Sequence, residues 1–155
     1  MHLITLLTAK YLYLLIGVIA FGYWLTLPKR QKVQVAIFGL IAAIVAYGLA
    51  KIGGALYFDP RPFVFHNLTP LYPHTPDNGF PSDHTLLSAF IAVTIYAVHK
   101  RLGLILMAMA LLVGGARVIG NIHSPIDIAG SVVFALLGGF VAYYLTPKVL
   151  ARVKT

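Results

Sequence analysis

Residues 33–58 read VQVAIFGLIAAIVAYGLAKIGGALYF, and Lys51 is the one charged residue in this stretch. A helix that crosses a bilayer needs roughly 20 consecutive apolar residues, so the stretch predicts a membrane span. The rest of the chain agrees, because 59% of its 155 residues are hydrophobic and only 10% are charged. A soluble domain carries about a quarter charged residues.

Four further stretches predict spans, at residues 11–27, 85–98, 102–120 and 126–145. Residues 2–10 are apolar enough to lengthen the first span or to lie along the interface. The chain has no repeat and no linker long enough to separate two domains, so we expect a single domain over residues 1–155. The predicted fold is an all-α, polytopic membrane helical bundle of about five transmembrane helices. Glycines within the spans are interpreted as points of close helix packing, namely Gly53, Gly54, Gly114, Gly115, Gly138 and Gly139.

The basic residues of the loops predict the orientation of the bundle. Alternating crossings place eight of them on one side, which the positive-inside rule makes cytoplasmic: Lys29, Arg30, Lys32, Lys100, Arg101, Lys148, Arg152 and Lys154. The C-terminus is then cytoplasmic, whereas the N-terminus, the loop 59–81 and the turn 121–125 lie outside. The four acids of the chain also fall on the outer side: Asp59, Asp77, Asp83 and Asp127. We therefore expect polar chemistry at the outer face of the membrane.

The net charge of +8 raises nucleic acid as a partner. The cations lie mostly in short loops between apolar runs, however, so topology explains them better and no nucleic-acid partner is expected. The absence of cysteine excludes disulfides and thiolate metal sites. The first residues lack a basic segment, so no cleavable signal peptide is expected.

Three groups of polar residues map to the outer side, where charges near a membrane are costly and suggest function. Lys51 and Arg61 are cations suited to an anionic substrate, although Lys51 could equally snorkel to the interface. The second group is Pro81-Ser82-Asp83-His84, before the third span. Its Ser or Asp could simply cap a helix, but a helix N-terminus also binds anions and capping does not explain the histidine.

The third group comprises Arg117, His123 and Asp127. His123 and Asp127 are four residues apart, so the carboxylate can accept a hydrogen bond from the imidazole and fix its tautomer. The alternative is a polar helix start in which Asp127 interacts with the helix dipole. Together the three groups supply cations, a nucleophile and an acid, which phosphoryl transfer needs. A metal site is less favoured because the nearby Arg and Lys would repel the ion.

The order and spacing resemble the type 2 phosphatidic acid phosphatase superfamily, with its motifs Lys-x6-Arg-Pro, Pro-Ser-Gly-His and Ser-Arg-x5-His-x3-Asp. The corresponding stretches here read Lys51-x9-Arg61-Pro62, Pro81-Ser82-Asp83-His84 and Ala116-Arg117-x5-His123-x3-Asp127. The runs 57–63 and 80–85 are similar to the bacitracin-resistance type of undecaprenyl pyrophosphate phosphatase, as are two histidines of the intervening loop, His66 and His74. Their side chains could equally be solvated or contact a pyrophosphate.

The chain departs from the general pattern at four points. Lys51 lies three residues further from Arg-Pro, which on a helix keeps roughly the same face at a deeper level. Asp83 replaces Gly and adds a negative charge beside the implied phosphate site. Ala116 replaces Ser and removes a hydroxyl. Many members have six spans, whereas five are predicted here.

The resemblance implies a phosphatidic acid phosphatase type 2 / haloperoxidase-like core and removal of the terminal phosphate of undecaprenyl pyrophosphate, without a cofactor or metal. It implies that His123 is the nucleophile, oriented by Asp127, and that His84 is the acid; spacing alone does not separate the two histidines. It also implies phosphate binding by Lys51, Arg61, Ser82, Asp83 and Arg117.

Phosphatidic acid and phosphatidylglycerol phosphate remain alternative substrates. An anion-binding transport or scaffold protein is the alternative outside the enzymes, although anion binding needs neither the His123–Asp127 pair nor His84. A soluble haloperoxidase is excluded by the five apolar spans. The expected partners are the lipid substrate and membrane lipids.

Overall fold

Residues 2–153 are described by the computed structural model, and they form an all-helical bundle. The six helices in this part of the chain are α1 (His2–Thr26), α2 (Lys29–Leu56), α3 (Pro62–Phe65), α4 (Asp83–Tyr96), α5 (Lys100–Ile119) and α6 (Pro125–Val153). No strand occurs among the described residues, and the one β-bridge pairs Pro60 with Asn78. The all-α prediction is therefore confirmed.

Four of these helices, α1, α2, α5 and α6, are long and apolar enough to cross a membrane, and α4 is a shorter apolar helix of 14 residues. The count of about five spans is confirmed, but several boundaries differ from the prediction. The first helix begins at His2 because no breaker interrupts residues 2–10. The last helix runs beyond residue 145, through Pro147, to Val153. Lys154 lies outside the described residues.

The helices pack through small side chains. Helix α2 lies along α6, α4 lies along α5 and also contacts α6, α1 and α2, and α1 packs on α5. Alanines with no exposed surface line these contacts, among them Ala42, Ala89 and Ala110. A Cβ at Gly138 would stand 2.5 Å from the backbone oxygen of Ala42, so only glycine permits this approach of α6 to α2. Large apolar side chains instead cover the exterior, as expected of a bundle that faces lipid.

The packing interpretation is confirmed for four of the six span glycines, because a Cβ at Gly53, Gly114, Gly138 or Gly139 would lie within 4 Å of another helix. A Cβ at Gly54 would instead meet the long loop, 3.0 Å from the Phe80 carbonyl oxygen, and a Cβ at Gly115 would meet nothing within 4 Å. The interpretation is therefore wrong for Gly115, which sits on an exposed face of α5. Sequence alone cannot separate the two cases, because adjacent glycines point to different sides of a helix.

The charges separate along the bundle. A cavity lined by Arg30, Ala97 and Leu150 joins the start of α2, the end of α4 and the end of α6 at one end of the molecule. The long loop between α2 and α4 and the turn between α5 and α6 lie together at the opposite end, where the Phe63 amide donates to the Asn121 carbonyl over 3.1 Å. All four acids belong to this second end.

Asn78 organises the long loop. Its side-chain oxygen accepts hydrogen bonds from the Asp59 amide at 2.9 Å and the Phe80 amide at 3.0 Å. Its amide nitrogen donates to the Gly54 and Tyr57 carbonyls at 2.9 and 3.0 Å. One side chain thus ties the end of α2 to the segment that leads into α4.

Candidate active site

The turn between α5 and α6 presents His123 to a buried cavity. Asn121 adopts a left-handed conformation with a φ of 59°, which asparagine tolerates better than most residues. Two residues further on, the backbone amide of His123 donates to the Arg117 carbonyl over 3.3 Å. His123 is only 3% exposed, so its ring is enclosed by the surrounding protein.

A carboxylate fixes the imidazole. His123 Nδ1 lies 3.0 Å from Asp127 Oδ2, and the Ser124 amide donates to the same oxygen over 2.9 Å. Asp127 has no exposed surface. A buried carboxylate accepts the Nδ1 proton and leaves a lone pair on Nε2, which is the tautomer that a nucleophile or base requires. The hydrogen bond that the spacing predicts is present, with His123 in the turn and Asp127 in the first turn of α6.

Two guanidinium groups face the free nitrogen of this ring. Arg61 Nη1 and Arg117 Nη2 each lie 3.3 Å from His123 Nε2. Both arginines are buried, at 6% and 1% exposure. Guanidinium groups bind phosphate oxygens with fixed geometry. A phosphorus atom placed before Nε2 would therefore have donors on two sides.

Arg61 is positioned by the long loop. Its Nε donates to Asp77 Oδ1 over 2.6 Å, and its Nη1 donates to the Ile122 carbonyl over 3.1 Å. Partial desolvation acts to raise the pKa of the Asp77 carboxyl, but the hydrogen bond and charge of Arg61 outweigh it and hold that pKa below its usual value. Asp77 is therefore charged at neutral pH and orients Arg61.

Arg117 is positioned by α1 and the loop. Its Nη1 donates to the Ala9 carbonyl over 3.2 Å and to the Tyr72 hydroxyl over 2.8 Å. Its Nε is buried without a partner among the described residues. A buried N–H without a partner is costly, so this donor is available to an oxygen of a bound anion.

These side chains open onto a cavity of about 390 Å³. Six of the eight residues that the sequence predicts for the site line it: Lys51, Arg61, Asp83, His84, Arg117 and His123. The other two, Ser82 and Asp127, are fully buried just behind the wall. The structure thus brings together residues spread over positions 51–127, about half of the chain length.

Ser82 does not cap α4 through its side chain, which removes the capping alternative for this residue. Its hydroxyl accepts a hydrogen bond from the Thr85 hydroxyl over 3.1 Å, and its carbonyl accepts from Ser131 over 2.9 Å. Asp83 is in the first turn of α4, where its side chain is exposed and lines the cavity. The hydroxyl of Ser82 is held in the protein, so the start of α4 contributes chiefly backbone N–H groups and His84.

Lys51 and His84 stand on different walls of the cavity. The exposed ammonium of Lys51 lies 4.9 Å from the centre of the Tyr47 ring, which allows a cation–π contact. The ring of His84 packs edge-on against Tyr13 of α1, with 4.6 Å between centroids. His84 is thereby held by a neighbouring helix on the side away from α4.

His123 is neutral at physiological pH. Burial lowers the pKa of its imidazole most, and the charges of Arg117 and Arg61 lower it further, whereas the hydrogen bond to Asp127 acts in the opposite direction. The net pKa lies below the ordinary value. The arrangement can therefore offer an unprotonated imidazole next to two permanent cations, which suits nucleophilic attack on a phosphate.

The sequence leaves it undecided whether His74 contacts the substrate, and it does not indicate the role of three loop residues. His74 lines the cavity, with Nε2 3.4 Å from Arg117 Nη2, whereas His66 is exposed and outside the lining. Burial and the nearby cations lower the pKa of His74. The missed residues are Asp77, Asn78 and Gly79, and their one signal is that Asp-Asn-Gly is a strong turn sequence.

Gly79 and Asp59 contact the residues next to the imidazole of His123. A Cβ at Gly79 would stand 2.8 Å from Asp127 Oδ2, so a larger side chain would collide with the carboxylate. The Ser124 hydroxyl donates to Asp59, which links the turn to the loop. No group of three metal-ligating side chains occurs among residues 2–153.

Comparisons with known proteins identify the family of the chain. A family model described as the PAP2 superfamily matches residues 32–151. The "Bacitracin transport permease protein BcrC" of Bacillus licheniformis is 35% identical over 127 residues, which cover 81% of this chain and 62% of that protein. The "Undecaprenyl-diphosphatase BcrC" of Bacillus subtilis is 32% identical over 133 residues, covering 86% of this chain and 66% of that protein.

A third relative, the "Putative undecaprenyl-diphosphatase YbjG" of Escherichia coli, is 26% identical over 125 residues, covering 80% of this chain and 61% of that protein. The match thus spans less than two thirds of the length of each of these relatives. No solved structure matches the chain significantly.

Proposed function

The chain belongs to the PAP2 superfamily, whose model covers residues 32–151, and from that membership we propose that it is a lipid phosphatase. The proposed reaction is hydrolysis of undecaprenyl pyrophosphate to undecaprenyl phosphate. Two of the relatives bear the name undecaprenyl-diphosphatase, which supports this substrate. The observation that carries the proposal is His123, with Nδ1 on Asp127 and Nε2 between two arginines.

In the first step, His123 Nε2 attacks the terminal phosphorus and forms a phosphohistidine. Arg61, Arg117 and Lys51 hold the phosphate oxygens as charge redistributes, together with the backbone N–H groups around Ser82 and Asp83. Asp127 stabilises the imidazolium that forms. His84 donates a proton to the departing lipid phosphate.

In the second step, His84 takes a proton from a water molecule, which then attacks the phosphohistidine and releases phosphate. The arginines and Lys51 supply the positive charge that the transferring phosphoryl group needs, so no step is assigned to a metal. Residues 1–155 act in this proposal as one integral membrane domain. The site faces the outside of the inner membrane, and the C-terminus is cytoplasmic.

Two alternatives remain open. The same site could accept phosphatidic acid or phosphatidylglycerol phosphate, because the contacts involve the phosphate rather than the tail. The name of one relative contains the words transport permease, which favours a transport function as the second candidate. A transporter would bind the phosphate without breaking a bond to it.

We expect the purified protein to release phosphate from undecaprenyl pyrophosphate in the presence of EDTA, and more slowly from the two glycerolipids. His123→Ala should lower kcat at least about a thousandfold, because the covalent step is lost. His66→Ala is the matched control, since this histidine is exposed and lies outside the cavity, and it should stay within about twofold of the wild type. Release that persists in His123→Ala would contradict the mechanism, and no release by the wild type would favour transport.

A further inference from the structure

A second cavity lies next to the first and shares two histidines with it. It has a volume of about 380 Å³ and extends between α1 and the long loop. His74 and His84 line both cavities. The remaining polar residues of its wall are Lys10, Thr75 and three tyrosines: Tyr11, Tyr13 and Tyr72.

Lys10 is the cation of this second cavity. Its Nζ lies 5.6 Å from the centre of the Tyr11 ring and 5.7 Å from that of Tyr72. The hydroxyl of Tyr72 in turn accepts a hydrogen bond from Arg117. The backbone places Lys10 at the depth of the site, because the carbonyl of the preceding residue, Ala9, accepts a hydrogen bond from Arg117 over 3.2 Å.

This ammonium group lacks an acidic partner in the protein. Within residues 2–153, no carboxylate forms an ion pair with Lys10. A lysine in an apolar helix that only needs to reach water can extend towards the interface. Here the side chain is exposed, and its ammonium group lies over two aromatic rings beside a cavity that adjoins the site. An anion in that cavity would provide the missing counter-charge.

The chemistry of a diphosphate indicates which anion this is. When the terminal phosphate faces His123, the bridging oxygen must face the acid, His84. The second phosphate then lies beyond His84, on the side of the second cavity. We therefore propose that this cavity binds the phosphate that stays on the lipid, and that Lys10 is its cation. The inference rests on the proposed function and adds a subsite to it.

His123 Nε2 forms a bond to the terminal phosphorus as the bond between that phosphorus and the bridging oxygen breaks. The electron pair of the broken bond stays on the bridging oxygen, which takes the proton from His84. This oxygen becomes part of the lipid monophosphate, whose remaining negative charge is stabilised by Lys10. When the substrate is instead a lipid monophosphate, the leaving group is a neutral alcohol, which gives Lys10 nothing to neutralise. Lys10 therefore determines specificity for diphosphates over monophosphates.

The first experiment compares farnesyl diphosphate and farnesyl phosphate as substrates of the full chain in detergent. Lys10→Gln should lower kcat/KM for the diphosphate about tenfold, which is the effect expected from losing one charge-assisted hydrogen bond. The kcat/KM for the monophosphate should change less than about twofold. Lys10→Arg should retain most of the preference. Lys32→Gln is the matched control. The Nζ of Lys32 lies 5.6 Å from the centre of the Trp24 ring in the same type of contact, but Lys32 is in the first turn of α2, at the other end of the bundle.

The second experiment measures binding of inorganic pyrophosphate and inorganic phosphate by calorimetry, which does not require turnover. The Kd of pyrophosphate should rise about tenfold in Lys10→Gln, and that of phosphate should change less than about twofold. Equal effects on both ligands, or none, would overturn the subsite while leaving the phosphatase proposal intact. A wild type that binds both ligands but cleaves neither substrate would overturn the proposed function alone.

Discussion

At the scale of single side chains, the state of His123 is set by a balance of opposite charges on its two ring nitrogens. Asp127 at Nδ1 favours the protonated ring, whereas burial and two guanidinium groups near Nε2 disfavour it. Burial, the largest effect, and the two cations together outweigh Asp127, so the ring is unprotonated before a substrate arrives. In the proposed mechanism the same cations also hold the phosphate, which gives each of them two roles.

This balance predicts a pH effect of Arg61→Gln. Because the positive charge lowers the pKa of His123, removing it should raise that pKa towards the ordinary 6.5. The acid limb of kcat/KM, where the nucleophile becomes protonated, should then move to higher pH. The shift is measured by comparing the pH–rate profile of Arg61→Gln with that of Arg30→Gln, which removes a cation at the other end of the bundle. An acid limb that stays in place or moves to lower pH would contradict it.

The sequence predicts which residues gather at the cavity, because the chemistry restricts which residue types can serve. Lys51, Arg61 and Arg117 are predicted as cations on one side, and the His123–Asp127 pair is predicted from its spacing; the structure places these side chains at the cavity. His74 and Asp77 could not be placed, because their positions depend on the path of a long loop. No periodic pattern governs such a loop, so its contacts are visible only in three dimensions.

At the scale of elements, the long loop between α2 and α4 supports the site through backbone contacts. The Gly79 amide donates to the Asp59 carbonyl over 2.8 Å, which draws this part of the loop against Asp127. The absence of a side chain at position 79 makes room for the carboxylate. A turn glycine is therefore part of what aligns the imidazole.

Gly79→Ala should accordingly damage both activity and stability. The added Cβ would meet Asp127 Oδ2 at 2.8 Å and the Asp59 carbonyl at 3.2 Å, which overpacks a buried site at a cost of about 1–3 kcal/mol. Displacement of Asp127 should lower kcat about tenfold or more. Thermal unfolding in detergent and phosphate release measure the two effects.

Gly115→Ala is the matched control for this substitution. Its Cβ would meet nothing within 4 Å, and alanine favours a helix over glycine by up to about 1 kcal/mol. The variant should be as stable as the wild type or slightly more so, with unchanged activity. Equal losses in both variants would show that the collision with Asp127 is not the cause.

Helix positions were predicted well, because long apolar runs bounded by basic residues leave few alternatives in a membrane. Helix ends were predicted less well. The start of α4 at Asp83 and the length of α6 beyond Pro147 depend on neighbouring segments. A proline inside a helix is tolerated where surrounding structure compensates for the lost hydrogen bond, and sequence does not reveal that compensation.

At the scale of the whole molecule, the bundle places the four acids and the cations of the two cavities at one end. The loop cations within residues 29–32, 100–101 and 148–152 lie at the opposite end. Their separation along the helices follows from the fold, whereas the charge rule predicts which side of the membrane each end faces. The contact of Ala9 with Arg117 joins α1 to the site. Sequence motifs could not reveal this contact because a backbone carbonyl leaves no signature.

Labelling of single cysteines tests the orientation, since the chain has no cysteine of its own. His66→Cys lies in the exposed part of the long loop and should react with a membrane-impermeant thiol reagent added to intact cells. Lys100→Cys, exposed at the start of α5, should react only after the membrane is opened. The reverse pattern would place the site on the cytoplasmic side.

The shortness of α4 has a consequence for the depth at which the reaction takes place. With a rise of 1.5 Å per residue, its 14 residues span about 21 Å, whereas the hydrocarbon layer is about 30 Å thick. A helix that reaches one interface therefore ends below the opposite headgroups, and His84 stands at that end. The phosphates of a substrate would sink into a wet recess beneath the surface, while its tail stays among the surrounding lipids. Thicker bilayers should deepen this recess and slow entry of the substrate.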